Sequence, residues 1–382
     1  MKKVFSVKRI VKIISLLVAV IITALFMQQY ILLHYDSNRL RLDGFYLEEK
    51  DTVDIALIGS SEVYASFAPG MAYDKFGFTS YDYATASCTP TAAITQVKEV
   101  MDNQSPKMIL MEVNAFLYGA DKDGQDLNAF KESSIRNYID NIPMNDNKKA
   151  FLDEYVDKDL HIEYYLPIIK YHSAWNDYPD SIRYLRSCFE QQVRGESLLK
   201  GFKTRTRVFQ PLQKTYNAEV LKDTKKSPLT ETAVTELNKL MKYCKENKIN
   251  IVFFRAPHLI SDNNVVRSER NNTIAEMVRK NGFDFYDFER DYKKIGIDLK
   301  NDFYNYDHLN IYGCEKFTEY LGKLLVDKYN IGKTELNESQ QKNWTKAAAS
   351  FRKLYDYSDD LIKTEKKYIT LEDDTETIEH IG

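Results

Sequence analysis

Cysteine is scarce in this sequence: Cys88, Cys188, Cys244 and Cys314 are the only four in 382 residues, and no two make the C-x-x-C pair of a zinc or redox site. A disulfide-stapled module is excluded at this length. Four unlinked small hydrophobes is the simpler reading, although outside a membrane one or two bridges stay open. The six histidines show no H-x-H or H-x-x-x-H spacing, so no metal and no cofactor is expected. Glycine (14) and proline (9) are too few for a collagen-like repeat or a wholly disordered chain. An excess of positive charge is also missing. With 53 Lys and Arg against 56 Asp and Glu the net charge is −3, which lacks the basic footprint of a nucleic-acid binder. At 43% hydrophobic and 29% charged, the composition is that of a folded protein, either one catalytic-size domain with appendages or two smaller domains.

Long apolar runs are absent but for one. Residues 13–33, IISLLVAVIITALFMQQYILL, carry no charge, and as a helix at about 1.5 Å per residue they reach across a bilayer core. Lys2, Lys3, Lys8, Arg9 and Lys12 precede the run, so the positive-inside rule predicts residues 1–12 in the cytoplasm and everything after about residue 35 outside. The run exceeds a usual signal-peptide core and no small-x-small cleavage site follows it. An uncleaved signal anchor is therefore favoured over a cleaved leader.

Beyond the anchor, short apolar runs alternate with helical periodicity. Strands are expected at 54–58, 107–113, 249–254 and 283–288, and helices at 92–101, 230–246, 273–280 and 314–329. That alternation predicts a three-layer α/β/α fold with a mainly parallel sheet, functional groups gathering at the carboxyl ends of the strands. Gly59, Asn114 and Pro257 mark three such ends. The domain is drawn over residues 50–330, with a mostly helical, tyrosine-rich insertion at about 119–221 whose aromatics are read as a satellite core. Residues 331–382 read as a charged tail, one or two helices followed by disorder.

Two blocks could carry chemistry. Gly59-Ser60-Ser61-Glu62 follows the first strand, where glycine permits a tight turn that presents hydroxyls at the sheet edge. Taken alone it is better read as an N-cap that starts the next helix. The second block runs from Asp302 through Asn305, Asp307, His308 and Asn310 into Ile311-Tyr312-Gly313 and the last helix. A histidine there can swing over the edge that holds the serine. His258, after Pro257, is a weaker base candidate and is expected at the rim of the site.

Together these blocks resemble the SGNH (GDSL-like) hydrolase and acyltransferase superfamily over roughly residues 50–330. DHLNIYG, residues 307–313, is similar to the His-Leu-Asn loop of membrane-anchored Gram-positive members. The resemblance implies an SGNH-like, flavodoxin-like sheet, Ser61 as nucleophile, His308 as its general base and Asn114 as an oxyanion donor. A further donor would come from the Ala84-Thr85-Ala86-Ser87 turn, where Ala86 and Ser87 are the candidates. The superfamily pattern Asp-x-x-His reads Asn305-x-x-His308 here, so the orienting group is Asn305, or Asp302 or Asp307 if the loop bends toward the imidazole.

Serine is a poor nucleophile until a base in a fixed tautomer takes its proton, and the tetrahedral oxyanion needs aimed donors. The resemblance therefore implies an extracytoplasmic acyltransferase or esterase acting on O-acyl groups, acetyl by default, of a cell-envelope polysaccharide. Its implied partner is a membrane-bound O-acyltransferase. Two alternatives stand beside it. One is D-alanyl transfer to a teichoic-acid-like polymer, which would need an ammonium-binding carboxylate such as Glu62 or Glu112. The other is a degenerate, non-catalytic member that binds glycan or the acyltransferase.

Overall fold

The computed structural model describes residues 6–27, 36–118, 131–173, 178–211, 214–215, 217–220, 222, 224–366 and 368–372. Residues 28–33 of the expected anchor, 119–130 and 174–177 of the insertion and 373–382 of the tail lie outside the described residues. Seven strands are described. They are β1 (Ile55–Gly59), β2 (Ser80–Ala84), β3 (Met108–Glu112), β4 (Lys203–Arg205), β5 (Ile251–Arg255), β6 (Phe285–Asp287) and β7 (Thr370–Glu372).

Five of them form a sheet in the order β2-β1-β3-β5-β6, and every neighbouring pair is parallel. Successive residues of each strand leave the sheet on opposite sides. Ala56, Ile58, Ile109, Met111, Ile251 and Phe253 enter one core, and Ile55, Leu57, Met108, Leu110, Val252 and Phe254 the other. Both faces being dry, the strands read as continuous apolar runs rather than alternating ones. Helices Ala93–Asn103, Glu231–Glu246 and Val265–Lys280 cover the first face, and Pro69–Phe76 and Ile311–Tyr329 the second. The architecture is thus α/β with a parallel sheet between helical layers. The chain runs from β1 outward to β2 and then back across to β3, so the strand order reverses beside β1, where doubly wound sheets open a crevice at their carboxyl ends.

Strand β2 escapes a reading by hydrophobicity because its sequence, SYDYA, places Asp82 among tyrosines. Asp82 is nonetheless fully buried, and burial, only partly offset by the Arg41 charge, raises its pKa well above the carboxylate range. The edge it forms is covered, since the Asp82 N–H donates to the Lys200 carbonyl at 3.0 Å. The region after residue 131 holds helices Glu132–Ile139, Asp146–Tyr155 and Tyr178–Arg194, and its Ile135, Tyr138, Phe151 and Tyr164 join the first core.

After Tyr329 the described residues are built into the fold. Helix Glu338–Asp360 starts at an Asn337/Gln340 capping box and turns Trp344, Ala347, Ala348, Phe351 and Leu354 inward. It lies so close to helix Pro69–Phe76 that a Cβ on Gly70 would meet the Ala347 carbonyl oxygen at 2.6 Å. Strand β7 then pairs antiparallel with β4, with Leu371 buried. All four cysteines are buried free thiols.

Helix Val7–Met27 is 21 residues long and buries none of them, so it is long and apolar enough to cross a membrane. It begins before the uncharged run and includes Lys8, Arg9 and Lys12 in its first turns.

Candidate active site

Strand β1 ends at Gly59, whose φ of 137° is one that side chains rarely adopt and where a Cβ would stand 3.0 Å from the Glu112 carbonyl oxygen, so any larger residue would be strained. The turn this allows starts the one-turn helix Ser61–Tyr64 at the crevice, with Ser60 as N-cap. Ser61 is half-buried, and its N–H, the first of that helix, has no intrahelical acceptor.

The other wall is the loop before the last helix. It folds back on itself through the Phe303–Leu309 bridge and is tied down by Asn310. The Asn310 Oδ1 accepts from the N–H groups of Tyr312 and Gly313 (3.0 and 3.3 Å), while its Nδ2 donates to the carbonyls of Asn301 and Arg207 (2.7 and 3.0 Å). Gly313 is needed because a Cβ there would lie 2.4 Å from the Asp302 carbonyl oxygen. Leu309 fills the second core. The residues flanking His308 in DHLNIYG are thus largely structural, and what they position is the imidazole.

That imidazole lies flat against the Tyr304 ring, 5.2 Å between centroids and 1° between planes. Its Nε2 is 2.7 Å from Ser61 Oγ and its Nδ1 is 2.9 Å from Asn305 Oδ1. The hydrogen-bond network assigns the tautomer. Asn305 Oδ1 also accepts the Asp307 backbone N–H at 2.9 Å, so that atom is an acceptor; Nδ1 must then carry the proton, and Nε2 offers its lone pair to the serine hydroxyl. Burial lowers the His308 pKa, while the charges of Glu62 and Asp307 work in the opposite direction. A neutral base of this kind is what proton abstraction from serine requires.

Among the acid candidates, neither aspartate reaches the imidazole. Asp302 is held by Lys316 Nζ and the Asp298 N–H, both at 2.6 Å, and Asp307 by Arg267 at 2.9 Å. Burial raises the Asp307 pKa, but the charges of Arg267, His258 and His308 together hold it below its usual value. Of the three candidates, Asn305 is the one that contacts the imidazole.

The oxyanion candidates fare differently. Ala86 has its N–H on Asn38 Oδ1 (2.8 Å) and its carbonyl on Asn137 Nδ2 (3.0 Å), so it is not a free donor. Ser87 is exposed and takes the left-handed φ of 52° that favours glycine. Asn114 sits at the end of β3 as expected, but its Nδ2 donates to the Glu62 carboxylate and lies 3.4 Å from Tyr118 Oη, while its Oδ1 takes Arg255 Nη1 at 2.6 Å. The amide is held within the protein rather than aimed at an empty oxyanion position.

Below the serine lies a buried charge network that pattern reading did not find. Glu62 is 2% exposed. Its carboxylate accepts from Ser60 Oγ and Asn114 Nδ2, stands 3.3 Å from Ser61 Oγ and faces His258 Nε2 at 3.7 Å. His258 is 1% exposed and lies under the site rather than at its rim, with Nδ1 donating to the Ala256 carbonyl at 2.7 Å. Arg255, at the end of β5, reaches Glu289 at 3.2 Å and Glu112 at 3.6 Å. Burial penalises the charge on Glu62, yet His258, His308 and the Ser60 hydroxyl hold its pKa well below the usual range. Glu112 goes the other way: burial and the Glu62 charge, against Arg255, push it up to about 8. The one hint in the sequence was a charged residue at each strand end, Glu112 and Arg255.

The proton on Glu112 makes stability depend on pH. Its folded pKa exceeds the unfolded one, so its contribution is complete below about pH 4.5 and is lost as pH rises through about 8. The thermal midpoint is expected to fall between pH 6 and 8.5, and Glu112→Gln to flatten that fall. Parallel melting curves for the two proteins would show that Glu112 is ionised throughout.

Comparison with protein-family models and with curated protein sequences returns no match.

Proposed function

We propose that the chain is a membrane-anchored, SGNH-like serine O-acyltransferase or esterase that handles O-acyl groups, acetyl foremost, of a cell-envelope polysaccharide on the outer side of the membrane. The observation that carries the reading is the contiguous Ser61–His308–Asn305 array at the carboxyl ends of a parallel sheet, with the imidazole tautomer held for base catalysis. The one membrane-length helix among the described residues, with Lys8, Arg9 and Lys12 in its first turns, supports an anchor with the α/β domain outside.

In the proposed reaction Ser61 Oγ attacks the acyl carbonyl carbon as its proton passes to His308 Nε2. The tetrahedral adduct collapses, the C–O bond to the donor breaks, and the departing group takes the proton. A polysaccharide hydroxyl, or water in an esterase, then gives its proton to His308 and attacks the Ser61 ester, which restores both residues. Glu62 and Glu112 are buried and already bonded, so neither is open to the ammonium of a D-alanyl group, which favours an uncharged acyl cargo.

The test is to treat the purified full-length chain in detergent with a fluorophosphonate probe and with 4-nitrophenyl acetate. Covalent labelling and ester turnover are expected, with labelling lost in Ser61→Ala. If the unmutated chain neither labels nor turns over ester, an autonomous serine enzyme is ruled out.

A further inference from the structure

A serine–histidine pair needs more than a held tautomer. When the base takes the proton an imidazolium forms, and in Ser-His-acid arrays a carboxylate on the Nδ1 side stabilises it. Here Asn305 holds the tautomer without charge, Asp302 is paired with Lys316, and the charge of Asp307 is largely met by Arg267. We propose that Glu62 is the charge partner of the His308 imidazolium, supplying from the serine side the negative charge that position 305 lacks. This rests on the serine-enzyme reading above.

The geometry carries the assignment. Glu62 Oε2 is 3.3 Å from Ser61 Oγ and His308 Nε2 is 2.7 Å from the same atom, so carboxylate and imidazole lie within about 6 Å of each other across one hydroxyl. Glu62 is buried, and a charge at that range acts with little screening. Neutral donors, Ser60 Oγ and Asn114 Nδ2, anchor its two oxygens and leave its charge in place. Arg255 is directed to Glu289 and Glu112, so no arginine or lysine forms an ion pair with Glu62 among the described residues. His258, 3.7 Å away, divides its attention between Glu62 and Glu289. The proton that arrives on His308 during acylation therefore places a positive charge within about 6 Å of the Glu62 carboxylate, in addition to the nearer His258 ring.

The charged and titratable groups around the imidazole come from every element that packs on it: Glu62 after β1, Asp307 and Tyr304 on its own loop, His258 after β5 and Arg205 on β4. Of these only Glu62 and Asp307 favour its protonation. Glu62 is thus a positioning residue that acts through His308, and its role is separable from a structural one.

The experiment follows two readouts on the full-length chain in detergent micelles. One is the pH titration of the His308 ring nitrogens by NMR of 15N-histidine-labelled protein, assigned with a His308→Gln variant. The other is the rate of fluorophosphonate labelling against pH. Glu62→Gln is expected to move the His308 midpoint to lower pH and to slow labelling about tenfold or more. Adding Asn305→Asp to Glu62→Gln is expected to return the midpoint upward and recover most of the rate, which a packing defect at Glu62 would not allow. An unmoved midpoint in Glu62→Gln, or a double variant as slow as Glu62→Gln, overturns the proposal. If the unmutated chain does not label, the serine-enzyme reading fails, while the NMR titration still decides whether Glu62 biases His308. If Glu62→Gln does not fold, Asn305→Asp alone decides. With Glu62 already supplying charge its gain should stay below about tenfold, and a gain of about a hundredfold would overturn the proposal.

Discussion

Turnover of an activated acetyl ester is expected to fall by about 10⁴–10⁶-fold in Ser61→Ala, by a similar factor in His308→Ala, and no further when the two are combined. The non-additivity follows from the geometry. The 2.7 Å contact between Ser61 Oγ and His308 Nε2 would make the proposed nucleophile and base one functional unit, so that removing either removes the activated hydroxyl. Asn305→Ala is expected to be milder but still severe, about 10²–10⁴-fold. Without Oδ1 as acceptor, the proton is free to move to Nε2, where the ring can no longer receive the serine proton. Steady-state kinetics on the four variants would check this. Equal activity in Asn305→Ala and the unmutated chain would mean that the loop, through the Tyr304 stack, fixes the ring by itself.

The parts of this molecule legible in its sequence are those where one physical demand dominates. Strands β1, β3 and β5 are dry on both faces and show as unbroken apolar runs. The helices at 231–246 and 311–329 carry apolar stripes at helical spacing, and the first of them has Thr230 as its side-chain cap. The Gly59 turn and the His308 loop stand out because each needs specific residues for backbone reasons as well as chemical ones. Helix 265–280 was expected only from residue 273, because its first two turns, VVRSERNN, are mostly polar and bind through Ser268 and Asn271 rather than through apolar packing.

Where two demands compete the pattern goes silent. Strand β2 is buried and yet contains an aspartate, and the helix at 338–360 hides a stripe from Trp344 to Leu354 within a segment of high charge. The network beneath Ser61 is the extreme case. Glu62, Glu112, the Arg255–His258 segment and Glu289 follow different strands and individually look like surface residues, and only the parallel sheet brings their strand ends together. Periodicity reports which face of an element is dry; it carries no information on which charged ends will meet.

Arg255 is the residue on which that network turns, and its replacement should have the largest effect on stability. Its guanidinium is 1% exposed and makes three contacts of different kinds, to the Glu289 carboxylate at 3.2 Å, to Asn114 Oδ1 at 2.6 Å and to Glu112 at 3.6 Å. Arg255→Met keeps much of the apolar stem and removes the charge, leaving Glu289 with Ser268, His258 and the more distant Arg290 charge, and leaving Asn114 Oδ1 without the Arg255 donor. Removing one partner of a buried ion pair costs about 3–5 kcal/mol, because the other charge stays behind unpaired. A loss of that size is expected in urea denaturation of the full-length chain in mild detergent. Arg255→Lys should lie between the two, since one ammonium cannot bond the carboxylate and the amide together in the geometry of a planar fork. Combining Arg255→Met with Glu289→Gln should recover much of the loss, because the uncompensated charge goes with the second change. A loss under about 1 kcal/mol in Arg255→Met would show that the strand ends are solvated enough to screen Glu289, and that the charges under Ser61 are not a dry network.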